Sequence, residues 1–391
     1  MRSEYDVIVI GAGPAGSMAA RAVAEQGLEV MMIEKRQEIG EPVRCAEALQ
    51  NDGLENFFDI DQKWICTEIG RGRIHSPDGC VLNFSDAGDK PSGYILDRKI
   101  FDRSLAKMAA DAGAEVQVKT RASSLIKDNG MVTGIRGFCG GEEFEARSKV
   151  VIGADGVESL VGRWAGLIGP LRLKDMESCA EFTMTNVDIE SDCCDFYFGN
   201  STSPGGYVWV FPKGDKEANI GLGILGTRYD GTPPIQYLKK YVEKAFPDGK
   251  VLQTIVGGVP VCDFHGHLST GGLLLAGDGG RLTDPFLGAG IMNAIRSGHM
   301  AGVTAADAIK TKDFSGPALK KYDNEVGESI GKAIHKNYKV KEFVVGASDL
   351  QMDLVIHGLK RMNVENIPIS SIFKRITTTG LSVSSMVRSL V

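Results

Sequence analysis

Residues 5–10, Tyr-Asp-Val-Ile-Val-Ile, are apolar at all but one position and run into Gly-Ala-Gly-Pro-Ala-Gly and an alanine-rich stretch. A short apolar run of this kind predicts a strand buried on both faces. Residues 14–26 predict a helix that Gly27 ends, and 29–33 a second buried strand with Glu34 at its end. Further on the period changes. In Tyr-Val-Trp-Val-Phe-Pro, the rings of Tyr207, Trp209 and Phe211 alternate with valines, which predicts a strand with one aromatic face. A strand, a glycine turn and a helix are predicted again over 149–167 and over 271–309. A helix begins near Arg98, ahead of a strand at 115–119. Residues 171–271 read as several strands interrupted by one helix between prolines, and 60–96 add strands to them. Residues 318–391 are mostly helical in pattern. There Leu350, Leu354, Val355 or Ile356, and Leu359 form an apolar stripe, Pro368 interrupts, and a further helix follows.

This pattern gives an α/β chain with a discontinuous Rossmann-like nucleotide-binding domain over 1–60, 97–170 and 272–317. An antiparallel-sheet substrate domain over 61–96 and 171–271 and a helical C-terminal region over 318–391 complete it. Composition narrows the function classes. A net charge of −6 gives no basic field for nucleic acid. No apolar run approaches the roughly 20 residues of a membrane-spanning helix, and the N-terminus lacks the pattern of a signal peptide. A cytoplasmic protein is expected. The eight cysteines include no C-x-x-C or zinc-like spacing, and the six histidines form no metal pattern, so no metal site is expected. Cys193 and Cys194 are expected to pack within a strand, and His265 and His267 to lie on a surface loop.

The first unit carries the chemistry. Gly11, Gly13 and Gly16 form G-x-G-x-x-G between strand and helix. Gly11 permits a tight turn, Gly13 lets backbone approach a pyrophosphate, and Gly16 lets helix and strand pack closely. The helix N-terminus adds N–H groups and positive dipole, with Ala15 in its first turn. Glu34 is placed to accept both ribose hydroxyls of an adenosine. The triplet alone does not choose between NAD and FAD.

Three stretches do. They are Gly153-Ala154-Asp155-Gly156 after the strand at 149; Gly277-Asp278 followed by Gly288-Ala289-Gly290; and Arg98 at its helix start. Together they resemble the markers of the FAD-dependent flavoproteins typified by p-hydroxybenzoate hydroxylase. The resemblance implies bound FAD. Asp278 would bond the ribityl and pyrophosphate region. Gly288, Gly290 and Ile291 would face the flavin at a helix N-terminus. Arg98 would lie near the phosphates, and Ala122 would touch adenine through its backbone. A second G-x-G-x-x-G opening a helix is missing, because the same spacing at Gly221, Gly223 and Gly226 runs into a turn-like Thr-Arg-Tyr-Asp-Gly stretch; an external donor is therefore expected, a ferredoxin or NAD(P)H.

The aromatic stretch narrows the family. Tyr207-x-Trp209-x-Phe211-Pro212, then Gly221-x-Gly223, resembles the signature of the geranylgeranyl reductase family, a branch of the same flavoproteins. Arg44-Cys45-Ala46-Glu47-Ala48 resembles that family's Arg-Cys-Gly-x-Gly loop, with alanine in place of both glycines. The resemblance implies that Arg44, Cys45, Ala46 and Ala48 lie at the flavin. It implies that Tyr207, Trp209 and Phe211 line a lipid tunnel, and that Cys45 takes part in proton delivery. The implied reaction reduces isolated C=C bonds of geranylgeranyl chains in archaeal membrane lipids, on a prenylated glycerophospholipid. Peripheral membrane contact is a further implication. Lys332, His335, Lys336 and Lys339 share a helical face that is either solvated or turned to lipid phosphates. Two other readings share the flavin motifs or the fold: a monooxygenase of aromatic or polycyclic substrates, and a prenyl-lipid-binding protein without redox chemistry.

Overall fold

The computed structural model describes residues 2–85 and 91–361. Pro368 and the helix expected after it lie outside the described residues. The chain's described residues form two compact units, one within residues 2–43, 98–171 and 262–335, the other within 44–97, 172–261 and 336–361.

The first unit is built on the two buried runs. The strand Glu4–Ile10 pairs in parallel with Val30–Ile33 on one side and Glu142–Gly153 on the other, with Val7 opposite both Val30 and Val150. Strands Glu115–Gln117 and Leu273–Leu275 extend this parallel core. Thr120–Asp128 and Met131–Cys139 form an antiparallel ribbon on it. Helix Pro14–Ala24 covers one face and packs against helix Ile291–Thr311. The two helices approach closely because a Cβ on Gly298 would stand 2.1 Å from the Ala15 carbonyl oxygen, and one on Gly302 2.5 Å from that of Ala19. Larger residues at those positions would push the helices apart.

The second unit holds a seven-stranded sheet. Its order is Lys250–Pro260, Met176–Thr185, Glu217–Leu225, Tyr207–Gly214, Cys193–Phe198, Arg71–His75 and Val81–Ser85. All neighbours are antiparallel except Cys193–Phe198 with Arg71–His75. The two faces differ. Ala180, Phe182, Val208, Val210, Ile220 and Leu222 bury one face under helix Pro234–Ala245 through Leu238 and Val242. The other face carries Tyr207, Trp209 and Phe211, against Ile69 and Ile95 of a small sheet formed by Ala48–Gln50, Gly93–Leu96 and Ile65–Ile69.

Three expectations change. Residues 44–60 fall in the second unit, because Ala48–Gln50 pairs with Gly93–Leu96 and Glu47 is tied to the aromatic sheet. Residues 262–271 fall in the first unit, where Ser269–Thr270 pairs with Leu273–Leu275. The C-terminal helical region divides rather than standing alone. Buried Tyr322 donates to the Leu275 carbonyl (2.8 Å) in the first unit, whereas Lys341, 3% exposed, donates to the carbonyls of Lys174 (3.0 Å) and Val261 (3.1 Å) in the second. On the helix Asp349–Arg361, Ile356 and Leu359 are buried, but Leu350 is exposed and lies off the expected stripe. Lys332 and His335 are exposed and ion-paired with Glu328 and Asp263. Among the described residues no helix is long and apolar enough to cross a membrane.

Candidate active site

The glycine motif forms a tight cradle in the first unit. Gly11 has φ +103° and lies against the Ala154 carbonyl; a Cβ there would come within 2.2 Å of that oxygen. A Cβ on Gly16 would meet the Gly11 carbonyl oxygen at 1.8 Å. Gly13, by contrast, faces open space, with nothing within 4 Å of its would-be Cβ. It begins the helix with no side-chain cap, which leaves the first-turn N–H groups without one. Glu34 closes the cradle: its carboxylate accepts from the Ala12 N–H (3.2 Å) and the Arg36 N–H (2.9 Å).

The distal flavin motifs lie in the same unit. Asp278 accepts from the Thr283 hydroxyl (2.8 Å), and a Cβ on Gly290 would stand 3.1 Å from its Oδ1. Burial raises the Asp278 carboxyl above its usual range, against the opposing pull of Thr283 and the Arg98 charge. Arg98 itself is held by Asp102 through two bonds of 2.9 Å. Gly288 has φ +67°, and Gly290 precedes helix Ile291–Thr311 without a side-chain cap. Ala122 lies in the strand Thr120–Asp128 opposite Gly137. Asp155 accepts the Val161 N–H through Oδ2 (2.9 Å), while its Oδ1 is buried without a partner among the described residues. An uncapped helix start, an open glycine face and an orphaned acceptor fit a phosphate- and hydroxyl-bearing dinucleotide.

Arg44, Cys45, Ala46 and Ala48 are placed in the second unit instead, on a loop and strand anchored to the aromatic sheet. Asn219 donates to Glu47 (2.7 Å) and to the Ala46 carbonyl (3.4 Å), and itself accepts from Thr183 (2.9 Å). Lys213 ion-pairs with Glu47, whose side chain is 3% exposed. The Cys45 sulfur accepts the Glu47 N–H (3.2 Å), and the Arg44 Cβ lies 3.9 Å from the Cβ position of Gly257.

Tyr207, Trp209 and Phe211 are brought together as expected of alternation. Phe196 and Phe198 of the neighbouring strand extend the row: Phe196 lies 5.6 Å from Tyr207 and 5.4 Å from Phe211 between ring centroids, and Tyr207 lies 6.0 Å from Trp209. The two glycines of the signature now have a reason. A Cβ on Gly221 would strike the Trp209 indole at 2.3 Å and the Ala180 carbonyl oxygen at 2.7 Å; one on Gly223 would strike the Glu177 carboxylate at 2.5 Å. Gly221→Ala is therefore expected to destabilise the protein by about 1–3 kcal/mol and to displace the indole. A lowered denaturation midpoint and a shifted tryptophan emission check this.

Sequence reasoning missed the polar groups of this face. Glu177 and Glu181 share it with Cys179 and Thr183 on one strand. Burial pushes their carboxyls up to about 7 and about 8. The Trp209 indole N–H donates to Glu181 Oε2 (2.8 Å). The period-two register from Glu177 to Thr183 was a readable signal, but nothing in it told which face met the rings. Cys193 and Cys194 are buried in their strand, and burial raises both thiols. On the 263–267 loop His267 is exposed, but His265 is half-buried with its Nε2 unpartnered, so only one of the pair is at the surface. A cleft of about 610 Å³ opens on the sheet's opposite face, lined in part by Arg73, Asp195, Tyr197, Lys240 and Tyr241. Its lining mixes charged groups with aromatic and aliphatic ones.

Residues 6–167 match the FAD dependent oxidoreductase family, and residues 175–259 match the geranylgeranyl reductase catalytic domain. Cradle and matches define an FAD-dependent oxidoreductase. The digeranylgeranylglycerophospholipid reductase of Methanocella arvoryzae is 55% identical over 97% of both chains, and that of Methanosarcina mazei 45% identical over 94% of this chain and 92% of its own. The crystal structure of a geranylgeranyl bacteriochlorophyll reductase-like protein from Thermoplasma acidophilum superposes with a TM-score of 0.93 at 37% identity over the whole of both chains. A flavin-dependent brominase, at 18% identity and a TM-score of 0.71, shares the fold. The chain belongs to the geranylgeranyl reductase family.

Proposed function

We propose that the protein reduces isolated C=C bonds of geranylgeranyl chains carried on a glycerophospholipid. The observation that carries this reading is the continuous ring row on the Tyr207–Gly214 face, in a chain whose Gly13 face and uncapped helix start suit a dinucleotide. Bound FAD, once reduced, supplies hydride. Gly11, Gly13, Ala15, Gly16, Glu34, Arg98, Ala122, Asp278, Gly288, Gly290 and Ile291 would hold it, and Arg44, Cys45, Ala46 and Ala48 would serve its ring. The aromatic residues give an apolar chain a dry surface, worth about 0.8 kcal/mol for each CH₂ taken from water. Their rigid rings, packed against Ile69 and Ile95, give that surface a fixed shape. They also face positive charge that develops on the more substituted alkene carbon as the other carbon gains a proton.

Electrons come from outside the chain, from a ferredoxin or NAD(P)H; flavin bleaching by each under anaerobic conditions separates the two. The substrate's own location calls for transient contact with a membrane surface on the cytoplasmic side.

The direct test is mass spectrometry of prenyl lipid incubated with chemically reduced holoenzyme. A gain of one H₂ per alkene is expected. Oxygen consumption on adding substrate, with no saturated product, would overturn the reading in favour of a monooxygenase. Cys45→Ser and Cys45→Ala are expected to retain flavin and lose alkene turnover. Unchanged turnover in both removes Cys45 from the reaction.

A further inference from the structure

Glu181 lies in the middle of the strand Met176–Thr185, on the face that carries the rings, and is 3% exposed. Oε2 takes the indole N–H of Trp209 at 2.8 Å. Oε1 is buried and has no hydrogen-bond partner among the described residues. The nearby cation, Lys213, is committed to Glu47. A carboxylate in that position would be a buried charge with no ion pair and one bare oxygen, which is costly. A carboxylic acid carries no charge to desolvate and so costs less, and Oε1 is the oxygen left to carry its proton.

Resting on the reductase reading, we propose that Glu181, rather than Cys45, is the acid that supplies the proton to the alkene, which leaves Cys45 a role at the flavin ring alone. The balance is simple. The alkene π pair forms a C–H bond with the Glu181 proton at the less substituted carbon, while the O–H electron pair stays on Glu181. Reduced flavin, when bound, would supply the hydride that the more substituted carbon takes up as its second C–H bond. Glu181 is left as a carboxylate that keeps the Trp209 N–H, and it regains its proton from water. Trp209 thus serves the step twice, as a ring face beside the developing charge and as the donor that steadies the spent acid.

Burial outweighs the one cation among the groups that face Glu181. Lys213 and Trp209 come from the aromatic strand, Glu47 from the Cys45 loop, and Glu177 and Cys179 from its own strand. Opposite it on the Lys250–Pro260 strand is Ile255. Burial, with the Glu47 charge adding to it, raises the carboxyl to about 8, against the Trp209 bond and the Lys213 charge.

Glu181→Gln keeps an oxygen for the Trp209 N–H and removes the acid. In the holoenzyme this variant is expected to bind FAD and to bleach with dithionite as the unsubstituted enzyme does. Its alkene turnover should fall by about 10²–10⁴-fold. Infrared difference spectra across a pH titration of the oxidised holoenzyme should show a carboxylic C=O band that fades near pH 8 and is missing in Glu181→Gln. Turnover of the unsubstituted enzyme should decline through the same range. Full turnover in Glu181→Gln, or the same band in the variant, overturns the assignment while leaving the reductase reading intact. Failure of the unsubstituted enzyme to saturate any alkene overturns that reading and this assignment with it.

Discussion

Gly16→Ala is expected to abolish folding of the flavin unit, whereas Gly13→Ala, three residues earlier in the same motif, should fold normally and fail to hold FAD. The two glycines are kept for different physical reasons. A methyl group on Gly16 would lie 1.8 Å from the Gly11 carbonyl oxygen and 2.9 Å from its carbonyl carbon. Both are backbone atoms of a turn whose own residue has φ +103° and is pressed against Ala154. No side chain can rotate away, so the helix must leave the strand. The cost should exceed the about 1–3 kcal/mol usual for overpacking. A methyl group on Gly13 meets nothing within 4 Å, and Gly13 has φ −75°, which alanine adopts without strain. That methyl would occupy the space a pyrophosphate needs beside the helix N-terminus. The check is the melting temperature of each apoprotein together with the flavin-to-protein absorbance ratio after reconstitution. A Gly13→Ala protein that retains flavin at the unsubstituted ratio would refute this account of the cradle.

A decline in stability from mildly acid to mildly alkaline pH is the second large effect expected. Glu177 and Glu181 titrate in the folded protein at about 7 and about 8, with burial the main cause in both. The Lys341 charge pulls Glu177 down, as Trp209 and Lys213 pull Glu181, but neither outweighs desolvation. An unfolded glutamate titrates near about 4.3. Between that value and the folded ones the native protein binds more protons than the unfolded chain. Stability therefore falls as pH rises through this window and levels off above it, by a few kcal/mol per glutamate in order of magnitude. Asp195 works the other way and lower down: its carboxyl is depressed, and its contribution is lost only as pH falls through its folded pKa. Melting temperatures of the apoprotein at about pH 5.5 and about pH 8.5 measure the slope. The unsubstituted protein should melt higher at the lower pH, and the Glu177→Gln, Glu181→Gln double variant should lose most of that difference. A flat profile in the unsubstituted protein would mean that the two carboxyls are hydrated in the native state.

Much of this protein was legible along the chain. The βαβ start, the G-x-G-x-x-G turn, Glu34 and the distal Asp278 and Gly290 motifs are local, because a phosphate cradle is made by backbone within a few residues of a helix start. Alternation placed Tyr207, Trp209 and Phe211 on one face for the same reason: successive strand side chains point opposite ways. What the chain order could not give is partnership across strands. That the Cys45 loop belongs with the aromatic sheet depends on Asn219 and Lys213, which follow it by more than 160 residues. That Glu181 stands beside Trp209 depends on a register set by Phe182 opposite Ile220 and Val210 opposite Ile220 in turn. Its acidity depends on burial, a property of the assembled sheet and not of any residue in it. Backbone geometry fixed the cofactor cradle from sequence alone; only tertiary packing decided which carboxyls would be dried, because desolvation exists only once distant strands have closed over them.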